Sequence, residues 1–79
     1  MIINIKDTLA LSDGNEYVVI SKAKYDNKNY YYLVDKNNNN SMKFCYEDKD
    51  ELVESLDKEL NTKLLPLFYD EIKDIIPAN

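Results

Sequence analysis

The spacing of apolar side chains changes near residue 57, and this change constrains the fold more than any other feature. Over residues 42–46 apolar and polar side chains alternate, as they do in a half-buried β-strand. After residue 57 apolar side chains recur every three or four positions, which predicts helix. The chain therefore divides into strands over about residues 2–56 and helices over about residues 57–76.

Polar turn signals separate the strand candidates. They are Asp13-Gly14, Asp26–Asn29, the run Asn37–Asn40 and Asp48–Glu51. Asp-Gly indicates a hairpin, because both central residues of a type I′ turn need positive φ, and an asparagine run favours a loop. The clearest strand covers residues 30–34. Residues 52–56 fit either a fifth strand or the start of a helix, and we favour the strand.

Pro66 lies inside the helical pattern. It lacks an amide hydrogen, and in a helix its ring clashes with the carbonyl group of Thr62, so it breaks or kinks the helix. We therefore expect one helix over about residues 57–65, capped by Asp57, and a second, shorter helix over about residues 66–75. A single kinked helix is the alternative.

These elements predict one α+β domain over residues 1–79. Its expected architecture is a four- to five-stranded antiparallel β-meander, strongly twisted, with the C-terminal helices packed on one face. Several strands are apolar on both faces, since Tyr17 and Val19 oppose Val18 and Ile20. The face away from the helices must therefore curl on itself, pair with a second copy or present tyrosines to a partner.

The side chains that most enzymes use are scarce in this sequence. Its 79 residues include no His, no Arg and a single Cys, so Cys45 has neither a histidine to activate it nor a second thiol to resolve it. The acidic segment 47–51 fails as a calcium loop, because Leu52 occupies the third ligand position and the turn glycine is missing. We expect no enzymatic activity, no catalytic residues, no cofactor and no metal.

Four tyrosines lie around one predicted hairpin: Tyr25, Tyr30, Tyr31 and Tyr32. Tyrosine gives a large contact area at low entropic cost, which favours protein interfaces. It is also a good strand former whose ring can lie in a core. The first function hypothesis is a non-enzymatic protein-interaction module, acting as a homodimer or on another protein through this tyrosine cluster or a sheet edge. It predicts that Tyr31→Ala weakens association without changing the circular dichroism spectrum.

Negative charge is concentrated in the second part of the chain. Residues 46–79 hold four Lys and ten acidic residues, a balance of 4 − 10 = −6, against +1 for residues 1–45. This charge repels phosphate groups, so we expect neither nucleic-acid nor membrane binding. The second function hypothesis is an acidic inhibitor that mimics DNA phosphates and blocks a basic groove. Its candidate carboxylates are Glu51, Glu54, Asp57, Glu59, Asp70, Glu71 and Asp74.

The expected location of the protein is the cytoplasm. No segment has the roughly 20 apolar residues of a membrane span. The apolar run near the N-terminus is too short for the core of a signal peptide. We therefore expect the thiol of Cys45 to be reduced.

Three strings of the sequence carry a family resemblance. They are LSDGNEYVV at 11–19, YYYLVD at 30–35 and LLPLF at 64–68. With the acidic stretch between the last two, their order of hairpin, aromatic strand and Leu-rich helix resembles the small acidic YrzB-like proteins and similar short proteins carried on mobile genetic elements. The resemblance covers most of the chain. It implies a cytoplasmic protein of uncharacterised role and brings no catalytic residues.

Overall fold

The computed structural model describes residues 2–72, apart from the side chain of Asn39. Within that range, five antiparallel strands precede one helix. The strands are β1 (Thr8–Ala10), β2 (Glu16–Tyr25), β3 (Lys28–Asp35), β4 (Asn38–Asp48) and β5 (Glu51–Glu54), and the helix is α1 (Lys58–Ile72). The sheet order is β1-β2-β3-β4-β5, so each strand pairs with its neighbour in the chain. The predicted α+β class and the predicted fifth strand agree with this arrangement.

The sheet curls into a half-barrel, which corrects the expected shape of a strongly twisted meander. A register shift between Val19 and Ser21 interrupts the pairing of β2 with β3, and such bulges bend a strand and increase its twist. The sheet curls because its strands carry apolar residues on both faces, and both faces must be buried. α1 covers one face, and the other buries its side chains by closing around them.

A single helix passes through Pro66 within the described residues, so the expected break at that position is wrong. The proline costs about 3 kcal/mol in a helix interior. Leu64 and Phe68 on either side of it are 0% and 2% exposed, and burying each contributes about 1.5–3 kcal/mol. Thr62 is exposed, so the carbonyl group that Pro66 leaves without a helical donor lies where water reaches it. Residues 73–76 of the expected second helix lie outside the described range.

Replacing Pro66 by alanine is expected to raise the free energy of unfolding by about 1–3 kcal/mol. The alanine restores an amide donor to the carbonyl group of Thr62 and removes the ring clash. Urea denaturation followed by circular dichroism measures the change. Lys63→Ala, at an exposed position of the same helix, serves as the control and should stay within about 0.5 kcal/mol. A Pro66→Ala protein no more stable than the parent would contradict this account.

Two of the hairpins close through two-residue turns in which both residues have positive φ. Asp26 and Asn27 have φ values of 50° and 63°, and Lys49 and Asp50 have φ values of 50° and 66°. Positive φ at both positions is the type I′ geometry that matches the twist of paired strands. In the first loop, which joins β1 to β2, only Gly14 has positive φ, at 85°. The type I′ geometry expected at Asp13-Gly14 is not found in this loop and occurs instead at the turns after β2 and β4.

The asparagine run belongs mostly to a strand, which corrects the expected loop. β4 begins at Asn38, so only Lys36 and Asn37 form the turn. The amide of Asn37 donates to Oδ1 of Asp35 at 2.8 Å. Two residues suffice to reverse the chain, and Asn38 then pairs with Asp35.

Two cores lie on opposite faces of the sheet. The inner core, on the concave side of the half-barrel, consists of Ile3, Tyr17, Val19, Tyr31, Leu33 and Cys45. The helix-side core consists of Tyr30, Leu64 and Phe68, with half-buried rings around them. Neighbouring residues of β3 therefore serve different cores, as the side-chain alternation of a strand requires.

Hydrogen bonds at its start and near its end fix the position of α1. Oδ1 of Asp57 accepts hydrogen bonds from the amides of Glu59 at 3.1 Å and Leu60 at 3.2 Å, so the predicted N-cap is confirmed. The buried hydroxyl of Ser21 donates to the carbonyl oxygen of Phe68 at 2.7 Å. The helix is thus capped at its start and tied to β2 near its end.

Candidate functional site

The concave side of the half-barrel is open between its two edge strands, β1 and β5. A cavity of about 520 Å³ lies in this opening, and we call it the edge groove. Its lining includes Leu9, Leu11, Lys43, Cys45, Leu52 and Glu54. The three leucines are half-buried and pack against the inner core. The groove therefore has an apolar floor and charged residues on one wall.

Lys43 is the centre of a charged cluster at the groove. Its Nζ lies 3.1 Å from Oδ2 of Asp13 and 3.4 Å from Oε1 of Glu54. The same Nζ is 5.6 Å from the centre of the Tyr17 ring, and the Tyr17 hydroxyl donates to Oδ2 of Asp13 at 2.7 Å. These contacts connect the first loop, β4 and β5, so they hold the groove wall together.

The contacts in this cluster shift the pKa values of its members. The hydrogen bond from Tyr17 lowers the pKa of the Asp13 carboxyl to about 2, with help from the amide of Asn15 and from Lys43. The hydrogen bond to Asp13 raises the pKa of Lys43, and Glu54 adds to that effect. Both groups therefore keep their ordinary charges at neutral pH. The cluster is a fixed set of charges and not an acid–base pair.

We expect Asp13→Asn to make the free energy of unfolding less dependent on pH in the acidic range. Because the folded pKa of Asp13 lies below its ordinary value of 3.8, its ionised form stabilises the protein above about pH 4, and this contribution is lost as the pH falls toward about 2. Urea denaturation at several pH values measures the profile. The Asp13→Asn protein should be less stable at neutral pH and lose less stability below about pH 4. Glu16→Gln, at an exposed carboxyl nearby, should keep the parent profile, and identical profiles for all three proteins would contradict the assignment.

β5 presents an open sheet edge beside the groove. Within residues 2–72 it pairs with β4 alone. The amide of Ser55 donates to the carbonyl oxygen of Phe44 at 2.6 Å, and bonded pairs alternate along an antiparallel ladder. Leu52 and Glu54 therefore direct their backbone groups outward, away from β4. An extended chain laid along β5 would pair with these groups.

Cys45 lies on the groove floor and is 2% exposed. Burial raises the pKa of its thiol to about 11, and Glu54 adds to the shift. The thiol is therefore protonated at neutral pH and packs as a small apolar group. This environment is the opposite of the electropositive one that activates a nucleophilic cysteine.

The structure separates the four tyrosines of the predicted interface. Tyr30 and Tyr31 are each 4% exposed, and they lie in the helix-side core and the inner core respectively. Tyr25 and Tyr32 are half-buried against the helix-side core. This burial favours the core alternative for Tyr30 and Tyr31. Tyr31→Ala removes core packing, so it does not isolate an interface contact.

A second cavity, of about 360 Å³, has Lys22, Lys24, Tyr31, Glu47 and Glu71 among its lining residues. The Tyr31 hydroxyl donates to Oε1 of Glu47, and burial together with this bond raises the pKa of Tyr31. The two lysines balance the two glutamates in charge. No buried side-chain polar atom of the described residues lacks a hydrogen-bond partner. The same holds for the edge groove, which differs from this cavity in lying beside the outward backbone groups of β5.

The predicted acidic surface is divided between separate places. Glu51 and Glu54 lie on β5, Asp57 and Glu59 at the start of α1, and Asp70 and Glu71 in its last turn. Asp74 lies outside the described residues. A helix of 15 residues is about 22 Å long, so the groups at its two ends are far apart. Asp57 also caps the helix and Glu54 pairs with Lys43, so two of these carboxylates serve the fold.

Neither a membrane-crossing helix nor a metal centre is found in the described part of the chain. No helix between residues 2 and 72 has the length and the apolar character needed to cross a membrane. Over the same residues, no three His, Cys, Asp or Glu side chains are grouped in a way that could hold a metal ion.

No family model, curated protein or solved structure matches this chain. The resemblance to YrzB-like proteins and the origin on a mobile element therefore stay predictions.

Sequence reasoning identified Glu54 but missed the rest of the groove. The alternation over residues 42–46 puts Lys43 and Cys45 on one face of their strand, and both line the groove. Their neighbours across the sheet depend on register: Cys45 lies opposite Glu54, and Lys43 lies opposite Leu33. Register follows from turn geometry and packing, which the order of residues alone did not give for this sheet.

Proposed function

We propose that this protein is a non-enzymatic interaction module of the cytoplasm that binds an extended segment of a partner protein along β5, over the edge groove. The observation that carries the proposal is the outward backbone of Leu52 and Glu54 beside a cavity of about 520 Å³ with an apolar floor. Strand addition to a sheet edge uses these two elements together. Backbone hydrogen bonds give affinity, and pockets for alternate side chains give specificity.

The size of the edge suggests a weak and reversible contact. β5 has four residues, so an added strand gains only a few backbone hydrogen bonds, each worth about 0.5–1.5 kcal/mol net. Apolar side chains that enter the groove add about 25 cal/mol per Å² buried. Part of this gain is offset by the entropy of ordering the segment. Such a balance suits transient regulation rather than a permanent complex.

The sheet edge is a better candidate for the partner's contact surface than the tyrosine cluster is. Tyr30 and Tyr31 lie in the two cores, and their rings already have intramolecular partners. Tyr25 and Tyr32 keep partly exposed rings on the helix side of the sheet, away from the groove. We therefore assign the contact to the sheet edge that the first hypothesis named as its other option.

A pair of substitutions at one position tests the edge. Glu54→Pro removes the outward amide of residue 54 without breaking a bond to β4, and proline is tolerated on edge strands. Glu54→Ala removes the same charge and keeps the amide. Each tagged protein is used to capture partners from a lysate of the native host, after circular dichroism has verified its fold. We expect a protein retained by the parent and by Glu54→Ala to be lost from Glu54→Pro. Equal recovery on Glu54→Pro, or no recovery on any of the three, would overturn the edge assignment.

A further inference from the structure

We propose that the segment bound at β5 is basic, with two cationic side chains separated by two apolar ones. This inference rests on the proposed function, because it names the chemistry of the segment that the sheet edge receives. The supporting observations are the charge around β5, the alternation of its side chains and the apolar floor of the groove.

The charge of the chain is concentrated around this edge. Residues 46–59 contain seven acidic residues and two lysines, a balance of 2 − 7 = −5. The whole chain also has a net charge of −5, so the rest of the protein is neutral in sum. β5 lies in the middle of this segment. A cationic segment is attracted to this edge, and an anionic one is repelled.

Acidic side chains lie on both faces of the edge strand. Glu54 is opposite Cys45 of the inner core, so its side chain is on the concave face. Glu51 is three positions away, so alternation places it on the helix side, where Asp48 is its partner on β4. Both glutamates are exposed. A strand added to β5 therefore meets one carboxylate on each of its faces, and the one on the concave face, Glu54, also pairs with Lys43.

The residues between the two glutamates are apolar. Leu52 packs against the inner core at the groove, and Val53 is half-buried on the other face. In an added antiparallel strand, the four residues opposite 54, 53, 52 and 51 alternate between the same two faces. The matching order is cationic, apolar, apolar, cationic. Side chains directly opposite one another contribute to pairing when their charges differ and oppose it when they are alike.

A second copy of this chain fits the edge poorly. Pairing β5 with β5 of another molecule would bring two segments with a charge of −5 together, and like charges across a ladder are unfavourable. A basic segment carries the opposite charge and is attracted to this edge. The same carboxylates oppose homodimer formation at this edge and favour a cationic partner.

Three hexapeptides test the inference on the full chain. Their sequences are Thr-Lys-Val-Val-Lys-Thr, Thr-Gln-Val-Val-Gln-Thr and Thr-Glu-Val-Val-Glu-Thr, each acetylated and amidated. Amide shifts of the ¹⁵N-labelled protein are followed by NMR during titration at low and at high salt. We expect the lysine peptide to shift the amides of Leu52 and Glu54. We also expect it to bind about 2- to 30-fold more tightly than the glutamine peptide at low salt, which corresponds to two exposed charge pairs. High salt should reduce this difference, since exposed pairs are screened.

Two double variants separate the local carboxylates from the net charge. Glu51→Gln with Glu54→Gln should remove the preference for the lysine peptide. Glu16→Gln with Asp26→Asn makes the same change in net charge at exposed positions on β2 and in the turn after it, and it should keep most of the preference. Equal binding of all three peptides at the edge amides would overturn the basic segment and leave the edge function standing. If none of the peptides shifts those amides, both proposals fail.

Discussion

Phe68→Ala is expected to lower the free energy of unfolding by about 3–5 kcal/mol. The ring is 2% exposed and lies 5.5 Å from the ring of Phe44 and 5.9 Å from that of Tyr32, both in edge-on contact. Removing it leaves a cavity between α1 and the sheet. A chain of this length has a total stability of roughly 4–12 kcal/mol, so the loss is a large fraction of the whole.

The neighbouring residue supplies a control for this change. Tyr69 is also an aromatic residue of α1, but it is 60% exposed. Tyr69→Ala should change the stability by no more than about 0.5 kcal/mol. Urea denaturation followed by circular dichroism compares the two variants, and Phe68→Leu gives a milder measurement if the alanine variant does not fold. Equal effects at positions 68 and 69 would show that α1 does not pack as described.

Leu33→Ala is expected to cost about 2–5 kcal/mol through the other core. Leu33 is 0% exposed and lies in β3, the central strand of the sheet. It belongs to the inner core with Val19 and Cys45. Truncation opens a cavity at the centre of the half-barrel, where strands held on both sides cannot collapse to fill it.

Leu56 provides the matched control for Leu33, because it is the same residue type and 79% exposed. Leu56→Ala should leave the midpoint of urea denaturation nearly unchanged. If Leu33→Ala changes the midpoint of urea denaturation as little as Leu56→Ala does, Leu33 does not lie in a packed inner core. The comparison also distinguishes a curled half-barrel from a flat sheet, since in a flat sheet the side chain of Leu33 would be exposed to solvent.

Alternation and turn chemistry were sufficient to predict the class of fold. The strand candidate at 30–34, with polar turns on either side of it, predicted antiparallel strands, and the change of spacing after residue 57 predicted the helix. Asp57 could also be predicted as the helix cap, since its side chain accepts hydrogen bonds from amides only two and three residues away. These are local effects, and a sequence reports local effects well.

The errors concern interactions between distant residues. Pro66 predicts a break by its own chemistry, but Leu64 and Phe68 gain more by packing on the sheet than the proline costs. The groove depends on the register of β4 with β5 and on the curl of the whole sheet. Neither follows from one segment considered alone. The sequence left open whether the tyrosines form an interface or a core. Tyr30 and Tyr31 are adjacent in a strand, so they point to opposite faces, and each enters a different core.

The order of the strands in the sheet implies an order of events when the chain folds. Every strand pairs with its neighbour in the sequence, so each hairpin closes a short loop at small entropic cost. The helix is different, because its hydrogen bond from Ser21 to Phe68 joins residues 47 positions apart. We expect the amides of β2 and β3 to gain protection in pulsed hydrogen exchange before those of α1. If α1 docks after the strands have paired, the rings of Tyr30, Phe44 and Tyr46 face water until it does, and during that interval one face of the sheet is an exposed aromatic surface.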